Sequence, residues 1–425
     1  MIWAWLLLLV LAALGMPLFA VIAGVAMLGF HSAGYDLSAV LVEFYRLGDL
    51  PGLIAIPLFA LAGFVLAESQ APRRLVRLSN ALLGWLPGGL AIVAITACAF
   101  FTAFTGASGV TIVAMGALLY PALRHAGYGE HYSLGLITSA GSLGLLFAPS
   151  LPLILYGFVA GQLGTQPPTT MEALFLAGIL PGVLMIVLLS LHAMAVAPRA
   201  SVPAAWQPGE LAAAARDAGW ELPLPFVVLG GIYSGLLAAS EAAAVTALYV
   251  LIVAVAIKRE IPLRRLPEVM TGAMRLIGAI LLILGCALAM SNWLVDQEVP
   301  TRLFETIQAR VDQRWLFLLL LNLFLLIVGM LLDVFSALVI LVPLLVPVAL
   351  GYGVDPVHLG IIMLANLQLG YFTPPVGMNL FIAAYQFGTP VVKLVRATLP
   401  FLLILGLAVL LITWWPTLSL WLVRA

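Results

Sequence analysis

Long apolar runs recur along the whole of this 425-residue chain, and they constrain its fold more than any other feature. About twenty apolar residues suffice to cross the roughly 30 Å hydrocarbon core of a bilayer as a helix. Only 8% of the residues are charged and the mean hydropathy is +1.18, whereas globular proteins carry about 25% charged residues. The sequence therefore predicts an all-α polytopic protein of the lipid bilayer, with residues 1–425 as a single membrane unit and residues 2–28 as a retained first span.

The few charged residues exclude some partners and orient the chain. The formal net charge is zero and there is no basic block, so a nucleic acid partner has no electrostatic basis. Basic residues gather at 73–77 and 258–265, which the positive-inside bias places at the cytoplasmic face. In residues 71–85, Arg73 and Arg77 share one helical face and leucines share another, which predicts a helix lying in the membrane interface.

Two proline motifs interrupt apolar runs where the backbone has no water. "FAPSLP" occupies residues 147–152 and "FTPPVG" occupies residues 372–377, and a "GYG" precedes each at a nearly equal distance. This common order favours a duplication over chance similarity, with halves at about residues 53–197 and 222–423 and a Pro- and Ala-rich linker at 198–223. Paired halves with interrupted segments are typical of secondary transporters, whose binding site lies at the repeat interface.

A second pair of interruptions is polar. "FTAFTGASGVT" breaks an apolar run at residues 105–109, and "GMLLDVFSA" places Asp333 and Ser336 inside another. Glycine permits a chain reversal, free carbonyl and hydroxyl oxygens suit Na⁺, and half-helix N-termini attract an anion. The pattern predicts two polar hairpin tips that bind Na⁺ and an anionic substrate. Small hydroxyl residues such as Ser108 and Thr111 also serve as ordinary contacts between membrane helices.

Asp333 needs a partner if it lies at membrane depth. An unpaired carboxylate there costs about 2.5 to 3.5 kcal/mol on insertion scales. The sequence offers two partners: a bound Na⁺ held together with Ser336, or an ion pair with Arg275. Both alternatives stay open at the level of sequence.

Two other functions, intramembrane proteolysis and transport driven directly by ATP, are compared with the same sequence. "GASG" at residues 106–109 resembles the nucleophile motif of rhomboid intramembrane proteases, in which Ser108 would need a histidine base from another span. Only His192 lies within an apolar segment, and it has no nearby glycine. Direct coupling to ATP is excluded, because a phosphate-binding loop needs Gly-Lys and neither lysine follows a glycine.

Several motifs taken together are similar to one known family. "AIPLFALAG", "LPGGLA", "GIYSGLLAASEAA", "GMLLD" and "FTPPVGMNLF" occur in this order, and they resemble the large membrane subunit of tripartite ATP-independent periplasmic (TRAP) transporters. The resemblance implies an inverted-repeat, elevator-type secondary transporter of a bacterial inner membrane, with two re-entrant helical hairpins and unwound helices. It also implies sodium-driven symport of organic-acid anions, such as C4-dicarboxylates or sugar acids. A periplasmic substrate-binding protein would deliver them, and a small four-helix membrane subunit would be the second partner.

The resemblance also implies which residues form the sites. The hairpin tips fall on residues 105–109 and 333–336, although Thr105-Gly106-Ala107-Ser108 stands where the family commonly has Ser-Gly-Ser. The expected cation ligands, for Na⁺ only, are Thr105, Gly106, Ser108, Gly109, Asp333, Ser336, Gly370, Thr373 and Gly377. The expected substrate-binding residues are Ser108, Ser150, Thr373, Pro374 and Asn379. No organic cofactor and no enzymatic activity are implied, and a stand-alone ion-coupled anion carrier of related architecture is the alternative.

Overall fold

The computed structural model describes residues 2–49, 51–166, 168–198 and 207–424, among which there are helices and turns but no β-strand. In chain order the helices are α1 Ile2–Ala13, α2 Leu18–Ser32, α3 Ser38–Arg46, α4 Ala55–Glu68, α5 Ala71–Leu83, α6 Gly89–Thr105, α7 Ser108–His125, α8 Glu130–Ala140, α9 Leu151–Gly161, α10 Met171–Val196, α11 Pro208–Asp217, α12 Pro223–Tyr233, α13 Ala239–Leu251, α14 Leu266–Asp296, α15 Val299–Gln308, α16 Arg314–Leu331, α17 Val334–Gly351, α18 Pro356–Gly370, α19 Met378–Phe387, α20 Val391–Trp414 and α21 Thr417–Arg424. Turns of 3₁₀ helix occupy Leu47–Asp49, Pro51–Ile54 and Leu143–Leu146, and a π-helical stretch, Ile252–Ile257, extends α13.

Six of the described helices are long and apolar enough to cross a membrane, namely α10, α13 with its π-helical extension, α14, α16, α17 and α20. The number rises to eight if each of two bent pairs counts as one span. One pair is α4 with α5, and the other is Glu130–Leu146 with Leu151–Gly161. The predicted all-helical, multi-pass membrane fold is confirmed.

The predicted first span, residues 2–28, is wrong as a single helix. The chain forms α1 and α2 instead, with a break between Ala13 and Leu18. Gly15 has a positive φ of 93° there, which favours glycine. Pro17 then precedes the first residue of α2, where the missing N–H of proline removes no helical hydrogen bond.

The predicted interfacial helix corresponds to α5, which turns by 77° from the direction of α4. Arg73 and Arg77 are exposed, whereas Leu75 and Leu78 are buried. Arg74 lies between the two faces and is itself buried, with 7% of its surface exposed. Helix α5 therefore has the polar face and the apolar face that the sequence predicts. The sequence did not predict that Arg74 is buried.

The described part of the predicted linker is anchored to α5. Residues 199–206 of the predicted linker lie outside the described residues, and α11 follows them. Arg77 donates hydrogen bonds to Glu210 and Asp217 at the two ends of α11. Arg74 donates to Glu221, after α11, at 2.9 Å from Nε, and also to Glu260, beyond α13. Helix α5 thus contacts both the predicted linker and a segment that follows it in the chain.

Among the contacts between helices of the two predicted halves are four related pairs. Helix α20 packs on α8 while α10 packs on α18, and α19 packs on α7 while α17 packs on α9. Helices α7 to α10 occupy the same order as α17 to α20, and each of these contacts joins a helix to the one two positions away from its own counterpart. This arrangement brings the two polar breaks, 106–107 and 332–333, toward a common centre.

Candidate functional site

The first polar break is a tight reversal between α6 and α7. Gly106 has a φ of +63° at the end of α6, a conformation that favours glycine. Thr102 on α6 donates a hydrogen bond to Thr111 on α7 across 2.7 Å, so the two helices fold back on each other. Thr105 and Ser108, on either side of the turn, are buried. The sequence prediction of a hairpin tip at residues 105–109 agrees with this geometry.

The first tip lies against the start of α9. A Cβ atom on Gly106 would come within 2.6 Å of Leu151 Cγ, the residue that follows Ser150. Ser150 is buried, and its hydroxyl has no hydrogen-bond partner among the described residues. Proline at the first turn of α9 is compatible with the helix because the amides there lack intrahelical partners anyway. Residues 148–150 of the first proline motif therefore adjoin the first tip.

The second polar break separates α16 from α17. Asp333 is the N-terminal capping residue of α17, and its carboxylate accepts the Ser336 amide N–H at 3.0 Å and the Ser336 hydroxyl. Capping of this kind satisfies one of the free amides of a helix start. Arg275 on α14 is exposed and forms no ion pair with Asp333. The structure therefore does not support Arg275 as the partner of this carboxylate.

The second proline motif forms an irregular connection between α18 and α19. Thr373 donates its hydroxyl proton to the Leu369 carbonyl at 2.8 Å, and the Gly377 amide donates to the Met330 carbonyl at 3.1 Å. Gly377 has a positive φ of 50°, and Pro374 is exposed. Each proline motif contains one cis peptide bond, at Ala148–Pro149 and at Pro374–Pro375. Both interruptions lie where the sequence predicts them.

Gly370 allows the closest approach of two helices near this connection. A Cβ atom on Gly370 would lie 2.4 Å from the carbonyl carbon of Gly329 on α16. No real contact is that short, so α18 and α16 touch backbone to backbone only because both residues are glycine. Gly370 was predicted as a cation ligand, and the structure adds a packing role for it.

We expect Gly370→Ala to lower stability by about 1 to 3 kcal/mol, because the new methyl group must push α18 away from α16. The thermal unfolding midpoint of the purified protein is the measurement. Gly278→Ala is the matched control, since Gly278 is a helical glycine with nothing within 4 Å of an added Cβ. An equal midpoint for the two variants would contradict the packing role.

Both tips line one cavity of about 370 Å³. It is mostly apolar, with polar groups supplied by the tips and by Tyr371. Its lining comprises Phe64, Gly106, Ala107, Ser108, Gly109, Val110, Leu276, Ala279, Ile280, Ile283, Asp333, Phe335, Tyr371, Met378 and Ile382. Of the predicted site residues, Gly106, Ser108, Gly109 and Asp333 lie on its surface. Thr105, Ser150, Ser336, Gly370, Thr373, Pro374, Gly377 and Asn379 are not part of this lining.

Asn379 is fully buried behind the first tip. Ser108 donates its hydroxyl proton to Asn379 Oδ1 at 2.8 Å, and Asn379 Nδ2 donates to the Thr138 carbonyl at 3.3 Å. The amide group therefore links the first tip, α8 and the start of α19. A residue predicted to touch the substrate holds Ser108 in place in this structure.

Tyr371 is a cavity residue that the sequence analysis missed. It directly precedes the proline motif, and its hydroxyl oxygen accepts the Val334 amide N–H at 2.8 Å. Val334 is the first residue of α17, so Tyr371 connects the second proline motif to the second tip. Its position in an apolar run gave no sign of this contact, because aromatic residues are common in membrane helices.

The geometry around Ser108 does not form a catalytic dyad. The Ser108 hydroxyl donates to Asn379 and not to a histidine. His192 instead packs among aromatic rings, with its centroid 5.9 Å from that of Tyr132 and 5.5 Å from that of Phe401. The intramembrane protease alternative thus lacks its base.

A membrane-embedded cavity at the meeting point of two interrupted helix pairs defines the class of secondary carriers. The chain belongs to a family of this class: residues 3–418 match the family described as "Tripartite ATP-independent periplasmic transporter, DctM component". It is therefore a transport protein and not an enzyme.

Named relatives are similar along nearly their whole length. The C4-dicarboxylate TRAP transporter large permease protein DctM of Pseudomonas aeruginosa is 34% identical over 387 residues, which is 91% of this chain and 89% of that protein. The ectoine/5-hydroxyectoine TRAP transporter large permease protein UehC of Ruegeria pomeroyi is 34% identical over 422 residues, 97% of this chain and 96% of that protein. Among solved structures, the Alcanivorax borkumensis YdaH transporter matches with a TM-score of 0.61 and 17% identity, covering 89% of this chain and 87% of that one. At that identity the match supports the fold alone.

Proposed function

We propose that this chain is the large permease of a sodium-driven symporter that imports an organic-acid anion across a bacterial inner membrane. The observation that carries the proposal is the charge of the cavity. Asp333 lines it, and none of its described lining residues is Arg, Lys or His. An organic anion entering such a cavity needs a compensating cation, because like charges at low dielectric repel strongly. A co-transported Na⁺ supplies that charge.

The cation is proposed to lie at the second tip. Asp333 and Ser336 provide oxygen ligands there, and the backbone carbonyls near Thr373 and Gly377 supply further hard oxygens of the type Na⁺ prefers. Thr105, Gly106 and Gly109 would play the corresponding part at the first tip. Gly370 would act by letting the backbones approach.

The anion is proposed to lie between the tips, at the N-terminus of α7. Ser108 is the first residue of this 18-residue helix, and helix starts attract negative charge. Asn379 would contribute by holding Ser108, while Ser150, Thr373 and Pro374 would shape the path to the site. The name of the DctM relative supports organic-acid anions as the substrate class, so C4-dicarboxylates are the first compounds to test. Ectoine, a zwitterion that also carries a carboxylate, is the second.

The transport cycle is proposed to be of the elevator type and to need two partners. Membership of the family implies a small membrane subunit and a periplasmic binding protein. The contacts between helices of the two predicted halves support a rigid unit made of the tips and the proline motifs. This unit would move against the remaining helices and carry the site across the membrane.

Uptake by proteoliposomes tests the proposal. We expect uptake of succinate or ectoine to require an inward Na⁺ gradient, the small membrane subunit and the substrate-loaded binding protein together. Replacing Na⁺ by choline should abolish uptake. Robust uptake of free substrate by this chain alone would support the stand-alone carrier, and uptake without Na⁺ would contradict the proposed coupling.

A further inference from the structure

The cavity between the tips contains three polar side chains among its described lining residues: Ser108, Asp333 and Tyr371. Ser108 already donates its only hydroxyl proton to Asn379. Asp333, when ionised, can only accept hydrogen bonds. Tyr371 is therefore the one side chain of this lining that has a proton available to donate.

The position of the Tyr371 hydroxyl is fixed by the protein. The residue is 4% exposed, and its oxygen accepts the Val334 amide N–H at 2.8 Å. No described residue accepts the hydroxyl proton. A phenol oxygen that accepts one N–H still carries an O–H group, and a buried donor without an acceptor is costly. The arrangement keeps this donor at the cavity beside the second tip.

Backbone donors face the same cavity from the first tip. Ser108, Gly109 and Val110 form the first turn of α7 and line the cavity. None of their amide groups has a hydrogen-bond acceptor among the described residues, as expected at a helix start. Donors from both tips are thus available to one ligand that carries several acceptor oxygens.

We propose that Tyr371 is a substrate-binding residue that determines specificity, and that its hydroxyl donates a hydrogen bond to a carboxylate oxygen of the substrate. The inference rests on the proposed function, because it places the anion in the same cavity. A carboxylate suits the site since it presents two acceptor oxygens and carries the charge that the α7 N-terminus attracts. Recognition then comes from neutral donors, without a cationic side chain from the described lining.

Two variants separate substrate binding from a structural role. Tyr371→Phe deletes the hydroxyl and keeps the ring. Val334→Pro deletes the amide that Tyr371 accepts and keeps the hydroxyl, and it suits the first position of a helix. Asp333 already has the extended backbone that a residue before proline requires, with φ −71° and ψ 156°.

The measurement is stabilisation of the purified chain by graded succinate or ectoine in saturating Na⁺, without a binding protein. We expect Tyr371→Phe to weaken the apparent affinity by about tenfold or more, because a hydrogen bond to a charged acceptor is lost. Val334→Pro should stay within about threefold of the wild-type protein. The unfolding midpoint of Tyr371→Phe without ligand should fall, because the Val334 amide loses its acceptor, whereas its Na⁺ response should change little.

Three results would overturn the inference. Equal losses of affinity in the two variants would show that Tyr371 serves only to cap α17. An unchanged affinity in Tyr371→Phe would show that its hydroxyl does not reach the substrate. A wild-type chain that neither probe stabilises would reject a carboxylate site in this cavity. Failure of the proposed function is distinguishable, since it would appear as uptake without Na⁺ while ligand stabilisation remained sensitive to Tyr371.

Discussion

Asp333→Asn is expected to reduce sodium-dependent uptake at physiological Na⁺ by about tenfold or more. Asp333 supplies the carboxylate among the described residues of the cavity lining. Removing its charge should weaken the binding free energy of the cation by at least as much as the loss of a hydrogen bond to a charged group, about 1.5 to 3 kcal/mol. The half-saturating Na⁺ concentration should rise in the same proportion. Uptake assays over a Na⁺ series in proteoliposomes give both quantities.

The cap of α17 should survive this substitution. Asparagine is about as good a capping residue as aspartate, so the Ser336 amide keeps an acceptor and the unfolding midpoint should change little. Asp355→Asn is the matched control. Asp355 caps α18, accepting the Val357 amide at 2.9 Å, but it does not line the cavity. Asp333→Asn transport with wild-type Na⁺ dependence would remove Asp333 from the cation site.

Local sequence rules predicted the interruptions because each has a local cause. Pro374 and Pro375 remove backbone donors, and proline excludes the preceding residue from the helical region. Gly106 supplies the positive φ of the first tip. The same rules could have found the break at Gly15 and Pro17, which the length of the apolar run concealed. Features of this kind depend on a few neighbouring residues.

The partners across the cavity could not be predicted in this way. Ser108 and Asn379 lie in different halves of the chain, and their hydrogen bond exists only because α19 packs on α7. Tyr371 contacts Val334 because the second polar break packs against the start of the second proline motif. Helical periodicity showed which face of a segment is polar, but it carried no information on what that face meets.

The charged partners of Arg74 could not be predicted from the sequence either. Periodicity identified Arg73 and Arg77 as the polar face of α5. Arg74 is buried because Glu221 and Glu260 arrive from segments far along the chain. Their side chains are 4% and 13% exposed. A sequence pattern within α5 cannot reveal two carboxylates that reach it from outside.

Arg74 is one cation paired with two carboxylates, Glu221 and Glu260. Glu221 is the carboxylate with an unsatisfied oxygen, since its Oε2 atom has no donor among the described residues. The pKa of Glu260 lies below its ordinary value of 4.5: burial raises it, but hydrogen bonds from Arg74 and from the Gln70 amide outweigh burial. A carboxylate with a depressed pKa stabilises the fold above its ordinary pKa and loses that contribution as the pH falls through the folded value.

Arg74→Met is therefore expected to be among the most destabilising single changes in the chain. It would remove the cation from the buried Glu221 and the partly buried Glu260, and breaking a buried ion pair on one side costs about 3 to 5 kcal/mol. Arg77→Met is the matched control one helical turn away. Arg77 also contacts two carboxylates, but it is 44% exposed, so its loss should shift the unfolding midpoint only slightly.

Because Arg74 pairs with two carboxylates, a second substitution at Glu221 should restore part of the stability that Arg74→Met loses. This recovery distinguishes a charge effect from lost packing. Glu221→Gln alone should be tolerated because Arg74 keeps Glu260, and Arg74→Met combined with Glu221→Met should recover much of the lost midpoint. The gap between the unfolding midpoints of the wild-type protein and Arg74→Met should also narrow as the pH falls below 4.5, because the wild-type protein then loses the stability that the depressed pKa of Glu260 contributes. A gap that is constant from pH 7 to pH 4, with no recovery in the double variant, would mean that Arg74 stabilises α5 through its aliphatic stem and not through its charge.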